Sequence, residues 1–501
     1  MHRFYLPLVN SESVKKSFFI FLLFATVNYV AISQPPITLN RQDDGYRGIW
    51  YFIGALKNDY RYKYSGGLGT YPSNHHPFAV YAPAVEKTFF CYGGSSKEEQ
   101  PSLLHEVGFF DHRLGVVSRP TIVLEKGTND AHDNPVINID ENGYVWLFST
   151  SHGTERPSFI HKSKLPYDVT FFERVHAVRA EGTDSVLFDN FSYLQSHYLR
   201  GKGFFHLMTH YDRGVLKYGA NKSRRTIGYI TSADGVRWSA LKDIAIIEEG
   251  HYQTSGQSGK KIGTSFNFHP DTEHGSGLDY RTNLYYIETT DFGERWTTAG
   301  GETVSLPITT VNHAALIHDY KSEGLNVYIN DVAFDSHNNP VIFYVTSKGP
   351  HPGPGNGPYT WHIAHFNNDG WNLQVITTSD HNYDMGSLYI EDGRWSIIGP
   401  TDAGPQSYCT GGEMSLWTSL DHGNHWKKTM MLTDKSMYNH SYARRPVNAN
   451  ANFYSLWADG NGLSPSPSSL YFCTKSGKVF RLPKVMNAYL AKPDPVKAPK
   501  K

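Results

Sequence analysis

Three turns that end in tryptophan constrain this chain more than any other feature. Thr289-Thr290-Asp291-Phe292-Gly293-Glu294-Arg295-Trp296 and Ser419-Leu420-Asp421-His422-Gly423-Asn424-His425-Trp426 share one form, S/T-x-D-x-G-x-x-W. Ser232-Ala233-Asp234-Gly235-Val236-Arg237-Trp238 is the same turn one residue short. The physics is local: Ser/Thr and Asp side chains bond turn amides, Gly takes a positive φ, and Trp packs between sheets. Such a turn is structural and needs no catalytic role. The tryptophans stand 58 and 130 residues apart, so a unit of roughly 60 residues would divide the chain into about seven. Aromatics at 14 %, with 45 Gly and 27 Pro, suit many short strands and tight turns. The expected fold is all-β, a seven-bladed β-propeller.

A second repeat points to chemistry. His132-Asp133-Asn134-Pro135, Val136 to Asp140, Glu141-Asn142-Gly143 and Tyr144 to Gly153 read as strand, Asx-rich turn, strand. Asn330 to Gly349 repeats the pattern around Asp335-Ser336-His337-Asn338-Asn339-Pro340. Each predicts a β-hairpin. Only the earlier copy has a histidine before its first strand and another, His152, after its second; Lys348 stands at that place in the sister. A hairpin draws such ends together, so two imidazoles are expected on one surface.

Further His, Tyr and Arg residues crowd the stretch from Asn129 to Tyr252. They include Ser196-His197-Tyr198-Leu199-Arg200, the strand Phe204 to Tyr211 followed by Asp212-Arg213-Gly214, and Gly250-His251-Tyr252-Gln253. On a strand His206 and His210 share one face, with Tyr211 and Arg213 on the other. This mixture suits β-elimination from a uronic acid. The C5 proton becomes removable once the neighbouring carboxylate is neutralised by Arg, His or other donors. A His or Tyr then acts as base, and a Tyr or His protonates the departing O4. A glycosidase would instead need a pair of carboxylates.

Basic and acidic residues balance at 47 each, so no global field favours nucleic acid, and an anionic ligand needs a local cluster. Lys15 and Lys16 precede an apolar run from Phe18 to Val30, and Ala31-Ile32-Ser33 fits a cleavage site before Gln34. Residues 1–33 are read as a signal peptide, 34–491 as a single catalytic propeller and 492–501 as a disordered tail. After signal removal no membrane span is expected, and the protein is expected to be secreted or periplasmic, as a monomer. Cys91, Cys409 and Cys473 are an odd set without metal-type spacing.

Several stretches together resemble the ulvan lyases of polysaccharide lyase family 25, which are propellers with Asp-box, or BNR-like, repeats. They are Tyr46-Arg47-Gly48-Ile49-Trp50-Tyr51, Lys63-Tyr64-Ser65-Gly66-Gly67-Leu68-Gly69-Thr70-Tyr71, Asn129 to Pro135, His210-Tyr211-Asp212-Arg213 and Arg281-Thr282-Asn283-Leu284-Tyr285-Tyr286. The resemblance implies a secreted enzyme that cuts ulvan, an anionic sulfated rhamnose–uronate polysaccharide, leaving 4,5-unsaturated uronyl ends. By motif it places His132 on the catalytic histidine, His152 on a second active-site histidine and Arg213 on the carboxylate-binding arginine. Tyr198 is taken as the catalytic tyrosine, with Tyr193 close enough to compete, and Tyr252 as a substrate-contacting tyrosine. His132 and Tyr198 would share proton abstraction and donation, in either order. No cofactor is required for the chemistry. The family implication of a structural zinc has His269 as a candidate ligand only, since no cysteine lies nearby to complete four ligands.

Two rivals share the fold. A sialidase would carry an Arg-Ile-Pro-type motif before its first Asp-box, and the nearest string, Arg481-Leu482-Pro483, sits near the C-terminus; other propeller glycosidases, including rhamnosidases, stay open. A lectin would repeat its binding residues blade by blade, whereas here they concentrate between residues 129 and 252.

Overall fold

Short strands of alternating burial, separated by glycine and Asx turns, generate antiparallel meanders along the whole described chain. The computed structural model describes residues 37–501 apart from 69–73, 96–101, 212–224, 271–278, 368, 392, 498 and 500–501. The expected signal peptide therefore lies outside the described residues. Pro36 to Lys501 cluster as one compact unit.

The meanders open on the strands Ala79–Ala82, Pro135–Ile139, Ser192–Leu199, Gln253–Ser258, Asn326–Phe334, Ser387–Glu391 and Asn439–Arg444. These opening strands are hydrogen-bonded in a circuit. Ile137 N donates to Pro77 O (3.0 Å), Asn138 Nδ2 to Ser196 O (3.0 Å), and Gln195 Nε2 to Gln253 O (2.7 Å). Thr254 Oγ1 donates to Ile329 O (3.5 Å), Leu388 N to Asp331 Oδ2 (2.9 Å), and Ser387 Oγ to Ala443 O (2.8 Å). Tyr81 N then donates to Val447 O (2.9 Å) and returns the circuit to its start. A ring of inner strands with meanders running outward is a β-propeller.

Both termini reinforce the junction between the last meander and the first. Gly48 N donates to Ser468 O (3.1 Å) and Ile49 N to Gly93 O (3.0 Å), wedging the following Trp50 against Gly460, where an added Cβ would collide with the indole. Leu490–Ala491 pairs with Val116–Ser118, and Asp494–Pro495 pairs with Val479–Arg481. That last pairing sets Asp494 and Pro495, inside the stretch expected to be disordered, along a sheet edge, where free backbone groups recruit even a Lys/Pro-rich strip.

The tryptophan turns behave as their chemistry dictates. Asp421 Oδ1 accepts from His425 N (2.9 Å), Ser419 Oγ from Gly423 N (2.9 Å), and Trp426 Nε1 donates to Gly423 O (3.0 Å). Gly423 has φ +87° and lies where a Cβ would come within 2.7 Å of Trp395, so the turn needs glycine for both conformation and space. The two sister hairpins also superimpose in logic. Asp140 accepts from Asn142 N and Tyr144 N (3.0 Å each), and Asp335 from His337 N (2.9 Å) and Asn339 N (2.8 Å).

Candidate active site

The hairpin Pro135–Ile139/Val145–Ser149 brings the two histidines at its ends into contact. The imidazoles of His132 and His152 stack with centroids 3.9 Å apart and planes 8° from parallel. Asp130 sits between them: Oδ1 bonds His132 Nδ1 and Oδ2 bonds His152 Nδ1 (2.9 Å). The same carboxylate accepts from His132 N (3.0 Å), capping the single turn Ala131–Asp133, and from Arg156 Nη2 (3.0 Å). Arg156 also forks onto Asp133 (2.8 and 3.1 Å).

The electrostatics differ between the two rings. Burial alone would raise the Asp130 carboxyl, but hydrogen bonds from His132 and His152 outweigh it and hold the group well below the usual carboxylate range. Burial dominates at His132 and lowers its pKa despite Asp130. At the more exposed His152 burial also lowers, yet the Asp130 bond prevails and the pKa rises. One ring thus favours the neutral form and its neighbour the charged form.

Tyrosines and arginines continue the site across the axis. Tyr193 opens its strand at a β-bulge with φ +48°. Its ring meets His132 edge-on (5.6 Å, 73°) and Tyr252 at 90° (5.3 Å). Arg225 Nη1 donates to Tyr252 OH (2.5 Å), and Arg281 lies over the Tyr252 ring at 4.5 Å. Arg281 Nη2 donates in turn to Tyr383 OH (3.0 Å), and Tyr383 stacks on Tyr64 (4.2 Å). Lys63 is buried nearby and ion-paired to Asp279; desolvation first and then Arg281 lower its pKa. Backbone placement explains the gathering. His132, Tyr193, Tyr252 and Tyr383 all stand at or just before the start of an inner strand, and those starts face one end of the propeller axis.

Not every residue singled out from sequence arrives there. Tyr198 lies toward the opposite end of the strand Ser192–Leu199 from Tyr193, about 16 Å further along at ~3.3 Å per residue. It packs edge-on against Phe204 (4.9 Å) and lines a different cavity. The structure therefore brings Tyr193, and not Tyr198, to His132. Arg213 lies outside the described residues, as do Gly69 to Tyr71 of the resembling stretches. His269 is fully buried with its ring edge-on to Tyr252 (5.0 Å). Among the described residues the one cluster with metal-ligand geometry is Asp130, His132 and His152, and His269 is not part of it. Asp130, Arg156 and Arg225 were missed as site residues. Asp130 stood inside a quoted stretch, as did Lys63 and Arg281, but an acid beside histidines is legible as their partner only once the hairpin is folded.

Comparisons with known proteins agree with this architecture. The most similar solved structures include a polysaccharide lyase family 25 ulvan lyase, with -[GlcA(1-4)Rha3S]- bound and without. Each is 15 % identical at a TM-score of 0.64, covering 87 % of this chain and 96 % of that one. A sialidase of Trypanosoma rangeli, 12 % identical and covering 62 % of this chain and 51 % of its own, reaches 0.36, too low to argue from. No curated protein matches the sequence. Residues 118–379, more than half of the chain, match the description "BNR repeat-containing family member". With its Asp-box turns and its ring of meanders, the chain belongs to the BNR repeat-containing family.

Proposed function

We propose that the protein is a polysaccharide lyase that cleaves ulvan by β-elimination at the uronic acid. The observation that carries this reading is the His132–His152 stack on Asp130, with the Tyr193 ring edge-on to it. With both Nδ1 atoms engaged by Asp130, Nε2 is the nitrogen through which each histidine acts. His132, held neutral by burial, takes the C5 proton. His152, charged more readily, neutralises the uronate carboxylate together with Arg225, whose guanidinium also fixes Tyr252. As the C5–H pair becomes the C4=C5 double bond, the C4–O4 bond breaks and Tyr193 donates its hydroxyl proton to O4. The products are an unsaturated uronyl end and a free sugar hydroxyl, with no water consumed and no metal in any step.

The fold of a family 25 ulvan lyase supports the choice of substrate. The circuit of inner strands supports a count of seven blades. A polymer of this size meets an enzyme outside the cell, which supports an extracellular setting; among the described residues no helix is long and apolar enough to span a membrane. The protein is taken to act as a monomer. A retaining or inverting hydrolase fits less well. Its acid must hold a proton near neutrality, whereas Asp130, the carboxylate at the histidine stack, is held ionised by two imidazoles and Arg156.

The test is the ultraviolet absorbance of the conjugated uronate during incubation with ulvan. The wild type should produce it, and His132→Ala and Tyr193→Phe should each lower kcat by roughly 10²–10⁴-fold. Chain shortening without the chromophore would make the enzyme a hydrolase and overturn these roles.

A further inference from the structure

The strands that carry the candidate active site at their starts enclose a second space at their ends. A cavity of about 1100 Å³ opens there, on the opposite mouth of the axial channel. Its wall includes the last residues of the same inner strands: Tyr198, Gln257 and Phe334 among them.

Its chemistry is unlike that of the first mouth. Four half-buried aromatic rings, Tyr81, Tyr167, Tyr198 and Phe334, come from different meanders and surround one opening. Between them stand amides and hydroxyls. Gln257, exposed at the rim, uses its Nε2 on Tyr198 O (3.1 Å) and Gly259 O (3.2 Å). The charges are balanced. Arg445 is paired with Asp331 (3.2 Å) and Glu391 with Lys475 (2.6 Å). Asp140 is occupied by Trp146 Nε1 (2.9 Å), and Glu141 faces the mouth opposite in sign to Arg200. The two histidines of the wall, His76 and His197, are kept neutral by desolvation. A polyanion would find no excess of positive charge here, whereas the first mouth gathers Lys63, Arg225 and Arg281.

We propose that this second mouth is a carbohydrate-binding site for neutral sugar units, those without carboxylate or sulfate. Aromatic faces cover the apolar C–H face of a pyranose, and amide and hydroxyl groups at the rim meet its hydroxyls without the desolvation cost of an unpaired charge. Such a site would add a second point of attachment for a polysaccharide, which raises retention on a polymer without a new contact at the first site. The proposal stands apart from the lyase reading, because Tyr193 at the first mouth and Tyr198 at the second lie about 16 Å apart along the strand Ser192–Leu199.

Isothermal titration of the full-length mature protein would test it, with cellotetraose, xylotetraose and a desulfated, carboxyl-reduced ulvan tetrasaccharide as probes. At least one probe should bind saturably. Affinity should fall about tenfold or more in Tyr198→Ala and in Gln257→Trp, whose exposed indole would fill the mouth with the interior untouched. It should be unchanged in His132→Ala and in the presence of a sulfated ulvan tetrasaccharide. No saturable binding by any probe overturns the proposal. So does binding unchanged in both mouth variants, or binding lost in His132→Ala, which would assign the sugar to the first mouth.

Discussion

Asp130 holds two imidazoles and one guanidinium, and that single carboxylate sets the pH window in which the site can work. On the proposed mechanism His132 acts as base only while neutral, and its lowered pKa keeps it neutral to a pH below 6.5. His152 would neutralise a substrate carboxylate only while charged, and its raised pKa preserves the charge above 6.5. kcat/KM should therefore trace a bell, its acid limb from His132 and its basic limb from His152. Asp130→Asn removes the acceptor that raises His152, so the basic limb should move to lower pH while the maximum falls roughly 10²–10⁴-fold. An unchanged pH–rate profile would remove Asp130 from the site. Tyr198→Phe, by contrast, should leave kcat within about twofold. The two histidines were legible in sequence because a hairpin joins its own ends. The tyrosine was not, because Tyr193 and Tyr198 bound the same strand and alternation says nothing about which end faces the ligand. The direction of the chain would have decided it: His132 and Tyr252 both precede inner strands, and Tyr193 is the tyrosine at the starting end of its own.

The segment from Ser379 to Met385 is the element that delivers Tyr383 to Arg281, and buried carboxyls tie it down. Asp384 accepts from Gly411 N (2.7 Å) and His381 N (2.9 Å), while Asp380 accepts from Tyr408 N (2.8 Å). Burial pushes Asp380 up to about 6, and burial with the neighbouring Asp380 raises Asp384 as well. A carboxyl raised above its unfolded value of 3.8 binds more protons when folded. Its stabilisation is complete below that value and is lost as pH rises through the folded pKa, here toward about 6 for Asp380. Asp380→Asn keeps a hydrogen-bonding side chain without the charge. Its stability advantage over the wild type should widen from pH 5 to pH 8, by on the order of 1 kcal/mol. Parallel melting curves across that range would mean that the two acids do not share the strain. None of this was readable from Asp380 and Asp384 as letters, since two acids four residues apart look like a solvated turn. The Asp-box turns were readable, because every partner they need lies within eight residues.

At the scale of the whole molecule, repetition was visible and closure was not. Three tryptophan turns and two sister hairpins announce repeated meanders, but successive inner strands are bonded to each other across 56 to 75 residues, beyond any local pattern. The interior of that ring is rich in histidines that the fold keeps uncharged. Burial lowers His197, His251 and His362 to about 4 and His161 and His381 to about 3. His251 shows why: its Nε2 accepts from Ile247 N (2.8 Å) while Nδ1 bonds Asn267 O (2.7 Å), so a second ring proton would face a backbone N–H. Each group has a folded pKa below its unfolded value near 6.5. Its neutral form therefore stabilises the fold above 6.5, and that contribution declines as pH falls toward 4, at up to ~1.4 kcal/mol per pH unit for each ring. Five rings acting together would remove several kcal/mol within one to two pH units, a large share of the ~5–15 kcal/mol typical of a folded chain. The raised carboxyls of Asp380 and Asp384 work in the opposite direction on acidification, but two groups oppose five. Urea midpoints should thus hold steady from pH 8 to 7 and drop steeply between pH 6 and 4.5, with a shallower slope in His251→Gln. A midpoint that stays level down to pH 5 would show that these imidazoles are protonated in the folded ring.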